Sequence, residues 1–203
     1  MRSTPLSPIL IGLNILVFFL WSSGGEVRQE FMQTHFAVSW DALLAGRWWV
    51  LLTAAFSHNL LFHLFLNMYV LHGFGQAVES VLGTARFLIF YLLAGIFSSF
   101  SHAAVSAFLL GKPDLPAVGA SGAIAGTLIL FCLLYPKEKI LLFGIIPLPA
   151  LWGALAFVGL DIWGLISQAE GGGLPIGHGA HLGGALFGVL GYFYLRNRFA
   201  RRY

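Results

Sequence analysis

About six times in this chain, predominantly apolar residues run far enough to cross the hydrocarbon of a bilayer as a helix, and no other feature restricts its fold as much. A helical span needs roughly 20 such residues. The stretches are Pro8–Trp21, Phe56–Val78, Phe87–Leu110, Val118–Tyr135, Leu148–Ile166 and Ile176–Leu195, several leaning on small residues and flanks to reach full length. Composition points the same way: with 58% hydrophobic and 9% charged residues, a chain of 203 has too few polar side chains to coat a soluble globule. The sequence predicts an all-α membrane protein, a six-transmembrane-helix bundle forming a single domain over residues 1–203.

The first span lacks a small-x-small cleavage site and leads into aromatic and charged sequence, so it reads as an anchor and not a cleaved signal peptide. The single cysteine, Cys132, lies inside an apolar stretch, which excludes an intrachain disulfide or a cysteine-based metal site. The net charge of +3 does not reflect a nucleic-acid surface, because the basic residues punctuate the spans instead of alternating with aromatics. With six spans both termini share a side. Placing it in the cytoplasm puts Arg2, Arg86, Lys137, Lys139, Arg196, Arg198, Arg201 and Arg202 there and only Arg28, Arg47 and Lys112 outside. Spans two, four and six then enter from the external face. The first external connection, EVRQEFMQTHFAVSWDALLAGRWW, mixes aromatics, leucines and charges as small interfacial helices do, with Trp40, Trp48 and Trp49 suited to the headgroup belt. Three consecutive glycines, 171–173, in the loop before span six permit hinge motion; span five and that loop are expected to move to admit a substrate.

Polar groups inside spans are expensive and therefore functional candidates. His63 and Asn67 are four apart on one face of span two, Ser121 stands about one turn inside span four, and His178 and His181 open span six. All occupy the external halves of their helices. Gly122 and Gly126 on span four, and Gly184 and Gly188 on span six, form small-xxx-small stripes that let backbones approach closely. His181, Gly184 and Gly188 fall on one face, so the imidazole can reach the Ser121 hydroxyl. A serine becomes nucleophilic when a neutral imidazole takes its proton, and the oxyanion formed on attack needs donors already in place. Ser121 can supply its own backbone N–H at a helix start, and His63 and Asn67 offer further donors. No buried acid occupies an equally persuasive place beside His181, so the expectation is a Ser–His dyad and not a triad.

GASG at 119–122, AHLGGALFG at 180–188 and HLFLN at 63–67, in that placement on three descending helices, resemble the motifs of the rhomboid intramembrane serine proteases. The resemblance runs from WWVLLTAAFSH through span six, nearly the whole rhomboid-like bundle. It implies that Ser121 is the nucleophile, His181 the base, and His63 and Asn67 oxyanion-hole residues, with His178 outside those roles. Where the family often carries Trp-Arg in the first external loop, this chain has Trp49-Val50, with Arg47 nearby. The expected partners are transmembrane protein substrates, with small residues at the cleavage position, and membrane lipid. No cofactor or metal is expected, and the sequence leaves the oligomeric state open. The expected form is the minimal bacterial one, in the cytoplasmic membrane with the site opening externally.

Blander readings stand beside these. Ser121 alone suits a helix cap, and His63 and Asn67 suit interhelical hydrogen bonding. His58 reads as loop support, and His35, His72 and His102 as structural or interfacial. Asp161 is the only acid well inside a span and reads as a satisfied structural hydrogen bond or a gating contact; Glu79 and Arg86 flank the turn between spans two and three and are expected to tie it together. Two other functions remain open: a proteolytically silent rhomboid-like protein that holds membrane clients, and a small transporter using Asp161 and the histidines as a proton path.

Overall fold

The computed structural model of the chain describes residues 5–142 and 145–199, so Arg2, Arg201 and Arg202 of the charge count lie outside the described residues. Helix α1 (Leu6–Ser22) is followed by the short α2 (Glu26–Phe36), α3 (Trp40–Leu44) and α4 (Val50–Thr53), which occupy the connection expected to hold interfacial helices. Then come α5 (Leu61–Val70), a π-helical turn (Leu71–Gly75) and α6 (Gln76–Leu82), together covering the second span. The remaining helices are α7 (Thr84–Phe108), α8 (Ser121–Leu134), α9 (Ala150–Ala169) and α10 (His178–Phe199).

Among the described residues, α7 and α9 alone are helices long and apolar enough to cross a membrane individually. A third crossing arises if Val50–Phe56 and Leu61–Leu82, bent by 90° at their junction, count as one. Helices α1 and α8 are apolar but short, with 17 and 14 residues, while α10 has 22 residues but opens on histidines and glycines that lower its hydropathy. The expectation of six spans thus maps onto six helical segments of which length and apolarity alone qualify two or three. Helices α1 and α8 fall short by length and α10 by hydropathy.

Helix α8 is short, apolar and enclosed by its neighbours. Gly122 to Thr127, Ile129, Leu130 and Cys132 are all buried, and α10, α7, α9 and the π turn pack around it. On the α10 side the two glycine stripes meet: a methyl on Gly126 would stand 2.9 Å from the Gly184 carbonyl oxygen, and a methyl on Gly184 would collide with that of Gly122. Backbone therefore meets backbone, the close approach that small residues permit.

Two elements were not legible beforehand. The connection between α8 and α9 folds as an antiparallel hairpin of β1 (Lys139–Leu142) and β2 (Ile146–Pro149), with Lys139 opposite Pro149 and Leu142 opposite Ile146. The π turn at Leu71–Gly75 is the other, where an extra residue per turn brings Gly75 against the Ser7 hydroxyl of α1. Glu79 also differs from expectation. Its buried carboxylate turns to α1, accepting from the Leu6 and Ser7 backbone N–H groups at 3.0 Å and the Ser7 hydroxyl at 2.8 Å, and from Thr84 Oγ1 at 3.0 Å, rather than pairing with Arg86. Residue Pro5 offers α1 no side-chain cap, so a carboxylate from α6 satisfies the orphan donors of its first turn.

Candidate active site

The chain reaches Ser121 through a loop fastened to the first connection. Val38 and Ala117 exchange two backbone hydrogen bonds, at 3.0 and 2.8 Å; Asp41 N–H donates to the Pro113 carbonyl at 3.1 Å and Gly119 N–H to that of Ala54 at 2.9 Å. His102 of α7 holds the same loop from the other side through the Leu115 carbonyl, 3.1 Å from its Nε2. The Ala120 N–H points at His58 Nε2, 3.5 Å away, and the fully buried His58 ring packs edge-on to that of His63, centroids 5.0 Å apart. His58 is therefore the loop support expected of it. Ser121 is the first residue of α8, not one turn inside.

His181 Nε2 lies 2.9 Å from Ser121 Oγ across the α8–α10 contact. Phe157 of α9 covers the imidazole, ring centroids 5.7 Å apart. Gly119 completes the surroundings of the hydroxyl. With φ at +138°, it holds a conformation that glycine favours, and a methyl there would stand 2.7 Å from His63 Cε1 and 3.6 Å from Ser121 Oγ. The structure thus brings His63, Ser121 and His181 around one point. Asn67, buried on the same helix as His63, donates one amide hydrogen back to the His63 carbonyl at 2.9 Å and keeps its second N–H. Gly122 faces Ser98 of α7, whose hydroxyl and Cβ leave no room for a side chain at 122.

One expectation is overturned. An acid does stand beside His181: Asp161 of α9 places Oδ1 3.0 Å from His181 Nδ1 and 2.6 Å from His178 Nδ1. The sequence singles out Asp161 and His178 one at a time, and the register between α9 and α10 that joins them is tertiary. A sequence signal did exist. Along α9 the buried positions are Ala150, Gly153, Ala154, Asp161 and Gly164, a stripe of small residues with one acid in it. Gly164 is small because the His178 ring lies against it. Asp161, His178 and His181 each offer one ligand atom, all within 4.8 Å of one another, the group among the described residues with three donors suited to a metal ion.

The rhomboid-domain family model matches residues 45–198, which include every residue of this cluster. The chain belongs to the rhomboid family. This rhomboid is similar to rhomboid protein 1, mitochondrial, of Saccharomyces cerevisiae, 34% identical over 194 residues that cover 92% of the chain and 52% of the relative. It is also similar to presenilin-associated rhomboid-like protein A, mitochondrial, of Danio rerio (36% identical; 90% of this chain and 46% of the relative) and to RHOMBOID-like protein 12, mitochondrial, of Arabidopsis thaliana (31%; 93% and 58%). The chain spans about half the length of these relatives. Their mitochondrial names point away from the bacterial inner membrane expected for this rhomboid from its sequence.

Proposed function

We propose that this rhomboid is an intramembrane serine endopeptidase that cleaves peptide bonds in or near transmembrane segments of other proteins. The observation that carries the reading is the 2.9 Å approach of His181 Nε2 to Ser121 Oγ at the head of a buried helix. Ser121 Oγ attacks the scissile carbonyl carbon while its proton passes to His181 Nε2. The tetrahedral oxyanion is held by the Ser121 N–H, one of the unpaired donors of the α8 first turn, by a His63 ring N–H and by the free N–H of Asn67. His181 then protonates the leaving amine, and water hydrolyses the acyl-enzyme by the same route in reverse.

We read α1, α5 with α6, α7, α8, α9 and α10 as six crossings of one rhomboid domain. At 1.5 Å per residue the 14 residues of α8 rise only about 21 Å against a hydrocarbon thickness of about 30 Å. A helix that short, continued by the fastened loop at 110–120, supports a nucleophile set below the membrane surface. Irregular backbone at such depth is tolerable where it lines a wet cavity, which also supplies the hydrolytic water.

The test is cleavage of a transmembrane substrate by purified protein in liposomes, alongside labelling by a fluorophosphonate. Wild type should cleave and label, Ser121→Ala should do neither, and His181→Ala should lose both by orders of magnitude. Equal cleavage by the alanine variants would remove the dyad.

A further inference from the structure

Asp161 occupies a position where α9 should carry a core residue. Its neighbours in the buried stripe are alanine and glycine, and it is only 5% exposed. An acid at such a site is retained only if its charge has partners, and here both partners are imidazole Nδ1 atoms on α10 held by the same oxygen. The sequence makes room for this: Gly164, three residues on, removes the Cβ that would otherwise run into His178.

That geometry dictates the state of His181. A carboxylate oxygen is an acceptor only, so the Nδ1 that meets it carries the hydrogen. A neutral imidazole with its hydrogen on Nδ1 has its lone pair on Nε2, the atom 2.9 Å from Ser121 Oγ. The opposite tautomer would set two lone pairs against each other at 3.0 Å and leave the serine without a base. When Nε2 takes the serine proton, the same carboxylate faces the new imidazolium charge in a buried setting, where such an interaction is strong. His178, by donating from its own Nδ1 to Oδ1 at 2.6 Å, fixes the rotamer that the carboxylate needs.

We infer that Asp161 is a positioning residue that selects the His181 tautomer and stabilises its protonated form, with His178 locking the carboxylate in place. The inference rests on the proposed Ser121–His181 chemistry. The serine proton goes to Nε2 and from there to the leaving amine, and none passes to Asp161.

Asp161→Asn keeps size and a hydrogen-bonding oxygen while removing the charge. With a transmembrane substrate in liposomes it should lower kcat at least tenfold and by up to about 10⁴-fold, by analogy with Asp-to-Asn in serine protease triads, with KM nearly unchanged. The pH–rate profile should change as well, because the base then lacks the carboxylate that faces it. If Asp161→Asn keeps kcat and the pH profile, and only Asp161→Ala loses activity, Asp161 is a structural hydrogen-bond acceptor and the inference falls while the dyad stands. If wild type neither cleaves nor takes up fluorophosphonate, the dyad falls and the inference with it. Nitrogen NMR of ¹⁵N-histidine wild type, assigned against His181→Ala, keeps the test independent of variant folding: it should find the hydrogen on His181 Nδ1, and a hydrogen on Nε2 in its place overturns the inference. A chelator should leave cleavage intact; loss reversed by zinc would make the cluster a metal site and overturn it as well.

Discussion

Ser121 is useful only because the residues beside it are small. Gly119 adopts a φ of +138° against the His63 ring, so Gly119→Ala meets both strain and a clash. The expected cost is about 1–3 kcal/mol of stability, read as a lower unfolding temperature in detergent, together with loss of fluorophosphonate labelling as His63 and Ser121 are pushed apart. Labelling at the wild-type rate would show that the site tolerates the methyl. Asn67 makes the opposite kind of prediction. Its back-bond to His63 is local, so Asn67→Ala should barely alter folding but lower kcat by the equivalent of ~2–4 kcal/mol if its second N–H meets the oxyanion. A large fall in thermal stability with unchanged kcat would assign Asn67 to helix packing instead.

At the level of elements, two contacts between helices can be tested by single substitutions. One is the α8–α10 seam, where Gly184 lies so near the Gly122 carbonyl that a methyl cannot enter without separating the helices. Gly184→Ala should therefore destabilise by about 1–3 kcal/mol and lengthen the His181 to Ser121 approach, so both unfolding temperature and labelling rate fall together. The other is the Glu79 clamp on α1. Four hydrogen bonds converge on one buried carboxylate. Replacing it by glutamine leaves donors facing donors at a cost of about 1–3 kcal/mol, measurable as lower thermal stability with kcat of the folded fraction retained. Wild-type stability in Glu79→Gln would mean that α1 docks by its apolar face alone.

Across the whole molecule, α9 is the helix that brings Asp161 to His181 and leads into the glycine-rich segment before α10. It touches the bundle by a stripe of small residues with Asp161, flanked by the partly buried Phe157 and Val158, while Trp152, Leu155, Leu160 and Trp163 face outward. This helix, joined to α10 by a segment with Gly171 and Gly173 in positive-φ conformations, is the one expected to move aside for a substrate helix arriving through the bilayer. Crosslinking α9 to α5 should block cleavage of a transmembrane substrate while a small fluorophosphonate still labels Ser121. Unchanged turnover would place the entrance elsewhere. Because Asp161 rides on α9, the same motion would also loosen the His181 contact, linking entry to alignment of the base.

Much of this was legible along the chain. Apolar runs marked the helical segments to within a few residues, since hydrophobic length is a local property, and the spacings of His63 with Asn67 and of Gly184 and Gly188 with His181 fixed which side chains share a face. The π turn and the hairpin at 139–149 escaped because each answers to a neighbour, the first to α1 and the second to the path between α8 and α9. Glu79 departs from the turn for a like reason: Arg86 is near in sequence, but the first-turn N–H groups of α1 meet the carboxylate in space. So the sequence by itself determined the apolar, mostly helical class and the residues that are candidates for serine chemistry, because hydrophobicity and helical periodicity are written in short windows. Only the tertiary structure decided that Asp161 meets His181, because hydrogen bonds between α9 and α10 depend on a register that no single helix contains.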